Sequence, residues 1–145
     1  MSVNVKQAVP FFGVTDMESS LRFYVDGFGF TMKRHWIPDG NGHCPAEGKI
    51  RWCWLELDNA AIMLQEVSPQ SRPKEVLGTG VSVCFQCEDA LALYREFKER
   101  GISTRQRPFV GNHMWVVMLT DPDGYRLDFE SPTEAPEESE WEEAG

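Results

Sequence analysis

A chain of 145 residues, 41% of them hydrophobic, has room for one domain with a real core. It holds no apolar run near the roughly 20 residues that span a bilayer. There is no basic stripe for nucleic acid and, over Met1 to Lys6, no basic-then-apolar leader, so the expectation is a cytoplasmic protein with neither membrane nor nucleic-acid partners. The formal net charge is −9, but Glu134, Glu137, Glu138, Glu140, Glu142 and Glu143 all follow Pro132, and without these six the body stands at −3.

In chain order, residues 7–14 read as a first strand in which Pro10 suggests an edge or a bulge. Thr15 or Asp16 can cap a helix from Met17 to Gly27, with Leu21, Tyr24 and Val25 on one face. Phe30 to Trp36 is a second strand, and the stretch from Ile37 to Gly48, rich in Pro and Gly, is a loop. Ile50 to Leu57 and Ala60 to Glu66 are strands joined by a turn at Asp58-Asn59, and Ser68 to Lys74 is a polar linker. Val81 to Cys87 is then a strand, Glu88 to Arg100 a helix ended by Gly101, Ile102 to Arg107 a short strand, and Pro108 to Asn112 a loop. Trp115 to Leu119 and Tyr125 to Glu130 form a hairpin around Asp121-Pro122-Asp123-Gly124, where Pro and Gly meet the dihedral demands of a tight reversal.

The order repeats. Asp16 and Glu88, like Gly29 and Gly101, are 72 positions apart, and the turns Asp58-Asn59 and Asp123-Gly124 hold the same place in each half. Two β-α-β-β-β units, residues 7–67 and 80–131, are the mark of an internal duplication, within one domain spanning 1–131. Residues 132–145 carry almost nothing apolar except Trp141 and read as a solvated, disordered tail.

Cysteines and histidines give little chemistry. Cys84 and Cys87 have the CxxC spacing, but strand alternation sends them to opposite faces, so buried structural thiols are expected. His35 ends a strand, His43 lies in a glycine-rich loop with Cys44, and His113 sits where a loop meets a strand, as a pocket-rim residue.

Val14-Thr15-Asp16 before Ser19, Phe23-Tyr24 and Gly27-Phe28-Gly29-Phe30, with Asp121-Pro122-Asp123-Gly124-Tyr125 downstream, resembles the vicinal oxygen chelate superfamily over about residues 7–131. That group includes glyoxalase I, extradiol dioxygenases, fosfomycin-resistance transferases and bleomycin-resistance proteins. The resemblance implies an α+β fold in which two tandem βαβββ modules make a half-open, cup-shaped mixed sheet with helices outside. Its enzymes hold a divalent metal with four positions, which fall here on Val9, Met63, Ser82 and Asp128. Only Asp128 is a plausible ligand, and one carboxylate does not make a metal site.

Loss of those ligands, with the start Ala8-Val9-Pro10-Phe11-Phe12, looks most like the bleomycin-resistance branch. The implied protein is a non-catalytic homodimer that needs no cofactor and sequesters a planar aromatic or cationic molecule. Expected binding residues are Val9, Phe11, Trp52, Trp54, Met63, Ser82, His113, Trp115 and Asp128, with Glu56 and Glu130 as anionic complement. The rivals are a metal-dependent lyase, isomerase or dioxygenase, and a non-catalytic domain that offers its acidic tail to a protein.

Overall fold

The computed structural model describes residues 4–38 and 48–142; His43 and Cys44 lie outside them. Strands β1 (Phe11–Val14), β2 (Thr31–Trp36), β3 (Trp52–Leu57) and β4 (Ala60–Glu66) form one sheet, in the order β1-β4-β3-β2. Strands β5 (Ser82–Gln86), β6 (Phe109–Gly111), β7 (Met114–Thr120) and β8 (Arg126–Pro132) form a second, in the order β5-β8-β7-β6. In each, the first strand runs parallel to the last and the other pairs are antiparallel. The same order in both sheets is the duplication seen in space, and with two short helices it makes the fold α+β. No helix among the described residues is long and apolar enough to cross a membrane.

The chain divides into two compact units. The first holds Met1–Met17 and Phe30–Arg72, and the second Glu18–Gly29 and Pro73–Gly145. The first unit buries Phe12, Val14, Met17, Phe30, Cys53, Leu55, Ile62 and Leu64. Alternation does the sorting: Cys53 and Leu55 go inward, while Trp52 and Trp54 go to the other face. Beneath the start of α1 (Met17–Leu21), the Glu66 carboxylate accepts the Met17 N–H at 3.0 Å and pairs with Lys49 at 2.9 Å and with Arg51. An anion at a helix start meets the positive end of the peptide dipoles. Burial pushes the Glu66 carboxyl up, but these donors together hold it below its ordinary value of 4.5.

The helix widens into a π-helical stretch, Arg22–Gly27, closed by Phe28 N–H donating to the Phe23 carbonyl at 3.0 Å. This segment belongs to the second unit, although in sequence it lies within the first repeat. Phe28 meets Phe97 of α2 (Ala90–Glu99) at 4.7 Å and Phe129 of β8 at 5.3 Å between ring centroids. Tyr24, fully buried, donates its hydroxyl to Asp121 at 2.7 Å, and the other Asp121 oxygen accepts the N–H groups of Asp123 and Tyr125. The turn at residues 121–125 is thus bolted to the π-helical stretch. Asp89 caps α2 by accepting from the Ala92 N–H.

Several boundaries are corrected. Pro10 delays the first strand to Phe11, because proline cannot donate to a ladder. Residues 102–107 hold no strand, and the second strand of the second repeat is instead β6, in the stretch expected to be a loop. The signal for it was the turn Asn112-His113, whose φ values of 52° and 64° suit a primed hairpin turn. Cys84 is exposed and Cys87 only partly covered; of the described cysteines Cys53 alone is buried, and burial pushes its thiol up to about 11.

The disordered tail is corrected over its described part. Residues 138–141 run along β6: Val110 N–H donates to Ser139, Glu138 N–H to Val110 and Trp141 N–H to Pro108, with Phe109 bridging Glu140. The Trp141 ring meets Trp115 edge-on at 6.0 Å, with the Arg95 guanidinium 5.0 Å from its centroid. Glu137 accepts the N–H groups of Asn112 at 3.0 Å and His113 at 2.7 Å. One tryptophan and one well-placed carboxylate outweigh the polar composition, and they turn the acidic segment inward onto its own sheet.

Candidate ligand-binding site

On the first sheet, residues paired across strands share a face. The row Phe11, Met63, Trp54 and Arg34 crosses all four strands on the face opposite the core, and Gln65, Trp52 and Trp36 form the next row. Phe11 is 55% and Trp36 56% exposed, while Trp52, Trp54 and Met63 are half-buried. Such a contiguous apolar face on a small protein is uncommon unless something covers it. The Trp54 indole N–H donates to the Glu56 carboxylate at 3.0 Å, which fixes the ring and satisfies its only donor. Arg34 lies over that ring, its guanidinium carbon 4.5 Å from the centroid. Val9 sits just before β1, partly exposed.

The second sheet differs in chemistry. Ser82 and Arg126, then Cys84, Asp128 and Met118, then Gln86, Glu130 and Val116, form three rows on one face. Asp128 is only 8% exposed, one of its oxygens has no hydrogen-bond partner among the described residues, and the other lies 3.9 Å from the Cys84 sulfur. Burial raises the Asp128 carboxyl, and Glu130 adds to this, while Arg126 and Arg105 pull it down. Burial, then the Glu130 and Asp128 charges, raises the Cys84 thiol as well, so it stays protonated near neutrality.

The expected residues therefore fall into separate groups. Phe11, Trp52, Trp54 and Met63 share the open face of the first sheet, whereas Ser82 and Asp128 share a face of the second. Trp115 is corrected: it pairs with Val110 and Ser131, on the opposite face from Asp128, and that Ser131 hydroxyl accepts the Ala90 N–H of α2. Parity decides this, since Trp115 and Met118 are an odd number apart on β7. His113, expected at a pocket rim, anchors residues 137–141 through its backbone N–H, its side chain 84% exposed and its Nδ1 3.5 Å from Glu137. Arg34 was missed. Nothing in a run of Lys33, Arg34 and His35 says which of the three faces Trp54.

Four donors for a divalent ion do not assemble at the positions the resemblance implies, because Val9 and Met63 offer none and Ser82 only a hydroxyl. A different trio, Cys84, Asp128 and Glu130, brings one ligand atom each to within 4.8 Å of the others. A shallow depression on α2 and the turn after it, lined by Tyr94, Lys98, Gly101, Ile102, Ser103 and Thr104, contains none of these residues.

Comparison with known proteins adds the following. A family profile described as Glyoxalase/Bleomycin resistance protein/Dioxygenase superfamily matches residues 6–129. No curated protein sequence matches. Among solved structures, TnmS3, an antibiotic binding protein from Streptomyces sp. CB03234, is similar with a TM-score of 0.65 at 23% identity, over 90% of this chain and all of that one. A bleomycin-binding protein complexed with bleomycin gives 0.59 at 21% identity, over 88% of this chain and 98% of that one. The fosfomycin resistance protein FosX from Mesorhizobium loti gives 0.61 at 11% identity, over 91% and 95% respectively.

Proposed function

The chain belongs to the glyoxalase/bleomycin resistance protein/dioxygenase superfamily, and from that premise we propose that it is a metal-free binding protein, acting as a homodimer, that sequesters a planar aromatic molecule on the open face of its first sheet. The observation that carries this reading is the row Phe11, Met63 and Trp54 beside Trp52. Flat rings stacked on fixed indoles gain area burial plus about 0.5–1.5 kcal/mol per well-placed aromatic contact. Trp54, held by Glu56, is already oriented for this, so little ordering cost remains to be met on binding. The superfamily includes both catalysts and binders, and the similar antibiotic-binding and bleomycin-binding structures favour the second. Of the acidic complement of the cationic version of this reading, Asp128 and Glu130 lie on the other sheet, and Glu56, on this face, already accepts the Trp54 indole N–H, so the aromatic version has the better support.

Thermal unfolding with a panel of planar aromatic molecules tests it. A ligand at a hundred times its dissociation constant adds about 2.7 kcal/mol, and Trp54→Ala and Trp52→Ala should each remove most of that gain. A panel without effect, or a shift that survives both substitutions, sinks the proposal. Sedimentation at micromolar protein tests the dimer, and a monomer there overturns that part.

The trio Cys84, Asp128 and Glu130 supports a second reading, a metal-dependent enzyme with a donor set unlike that of its superfamily. Metal analysis after loading with Zn²⁺ or Ni²⁺ separates the two. Near-stoichiometric retention that Asp128→Ala abolishes would replace the binding-protein reading with this one.

A further inference from the structure

The open face of the first sheet carries a positive charge that its fold does not consume. Within this unit, Lys49 and Arg51 are engaged by Glu66, and Arg72 donates to the carbonyl oxygens of Val67 and Thr15. The Arg34 side chain makes no hydrogen bond or ion pair with the described residues; its guanidinium lies over the Trp54 ring. Its position is a product of the backbone. Met32 pairs with Leu55 and Arg34 with Trp54, so Lys33 is an extra residue in β2 and the ladder slips by one at that point. Without the bulge, Lys33 would face Trp54 and Arg34 would turn to the core side. Bulges re-aim side chains beside functional sites, and this one sets a guanidinium over the ring at the centre of the candidate floor.

We propose that Arg34 determines specificity on this face and that the ligand is a planar aromatic molecule with an anionic oxygen, a carboxylate or an acidic phenol, on one edge. The inference rests on the reading above that this face binds a flat molecule. A guanidinium stacked on an indole keeps its N–H donors in a planar fork, the geometry that matches a carboxylate with two parallel hydrogen bonds. The same charge opposes a cationic ligand, because the attraction of the Trp54 ring for a cation is already taken up by Arg34. Glu56 forms no ion pair with Arg34 among the described residues; its carboxylate accepts the indole N–H. The net charge of −9 acts against an anion only weakly, because charges beyond about 8 Å are screened at physiological salt.

The test is calorimetric titration with three molecules of one shape: naphthalene-2-carboxylate, naphthalene-2-carboxamide and 2-naphthylmethylammonium. The expected order is carboxylate, then amide, then ammonium, with about fivefold to tenfold between the first two, the range between a screened surface pair and a bidentate contact. Arg34→Met should bring the carboxylate's dissociation constant up to that of the amide. Arg34→Lys, which keeps the charge and loses the fork, should retain part of the preference, and raising the salt should narrow it in the unsubstituted protein. Equal binding of all three, or tighter binding of the ammonium, overturns the Arg34 inference and leaves the binding face standing. If none of the three binds, the reading of this face as a ligand floor fails, and the inference fails with it.

Discussion

Removing one hydroxyl should test how the turn at residues 121–125 is held. Tyr24→Phe leaves the buried ring in place and deletes the 2.7 Å hydrogen bond to Asp121. Burial pushes the Tyr24 hydroxyl well above its ordinary value of 10.0, so it is a donor throughout the accessible pH range. Asp121 is 4% exposed, which leaves water little access to the orphaned oxygen. A hydrogen bond to a charged group is worth about 1.5–3 kcal/mol, and leaving its acceptor unsatisfied puts the cost in the upper half, about 2–3 kcal/mol. For a chain of this length that corresponds to a fall in melting temperature of roughly 8 °C. The pH dependence follows from Asp121, whose carboxyl is raised above its ordinary 3.8, by burial first and against the pull of the Tyr24, Tyr125 and Asp123 donors. With the native value above the unfolded one, the folded state takes up the proton first. Stability from this group is therefore present at low pH and lost as pH rises through the native value. Loss of the Tyr24 donor raises that native value further. The cost of Tyr24→Phe should thus be full near neutrality and shrink as the pH falls toward 3.8. Urea denaturation of both proteins at pH ~7 and pH ~4 measures it. A cost below about 0.5 kcal/mol at neutrality, or the same cost at both pH values, refutes this account of the turn.

Three further outcomes are expected. Glu66→Gln should cost about 1 kcal/mol at neutral pH by weakening the clamp on Met17, Lys49 and Arg51. Because the native Glu66 carboxyl lies below 4.5, that difference should be present above this value and vanish as pH falls through the native one, as urea melts will read. Trp141→Ala should cost about 1–2 kcal/mol through the lost Trp115 and Arg95 contacts, and should open residues 133–142 to protease; cleavage there at equal rates in both proteins contradicts the docked segment. Gly78→Ala should destabilise by more than about 1 kcal/mol, since Gly78 has a φ of 82° and a Cβ would come within 2.7 Å of Gly124 and Tyr125 backbone; an unchanged melting temperature would contradict that close approach.

What the sequence determined by itself was everything set by neighbours along the chain. Alternation along β3 put Trp52 and Trp54 on one face, and the Pro and Gly of the turn at residues 121–125 marked the last hairpin. The 72-residue offset announced a repeat that both sheets realise in the same strand order. These depend on backbone dihedrals and a period of two, which are local. Tertiary structure decided whatever depends on register or on distant contact. The bulge at Lys33 selects Arg34 as the partner of Trp54, and β7–β8 pairing sends Trp115 away from Asp128. Trp141 and Glu137 found partners along β6 and in the β6–β7 turn, in a strand that composition had hidden as a loop. A one-residue slip in pairing reverses every side chain beyond it, so the aromatic floor was legible in the chain, while the charge that stands over it was set only when two strands met.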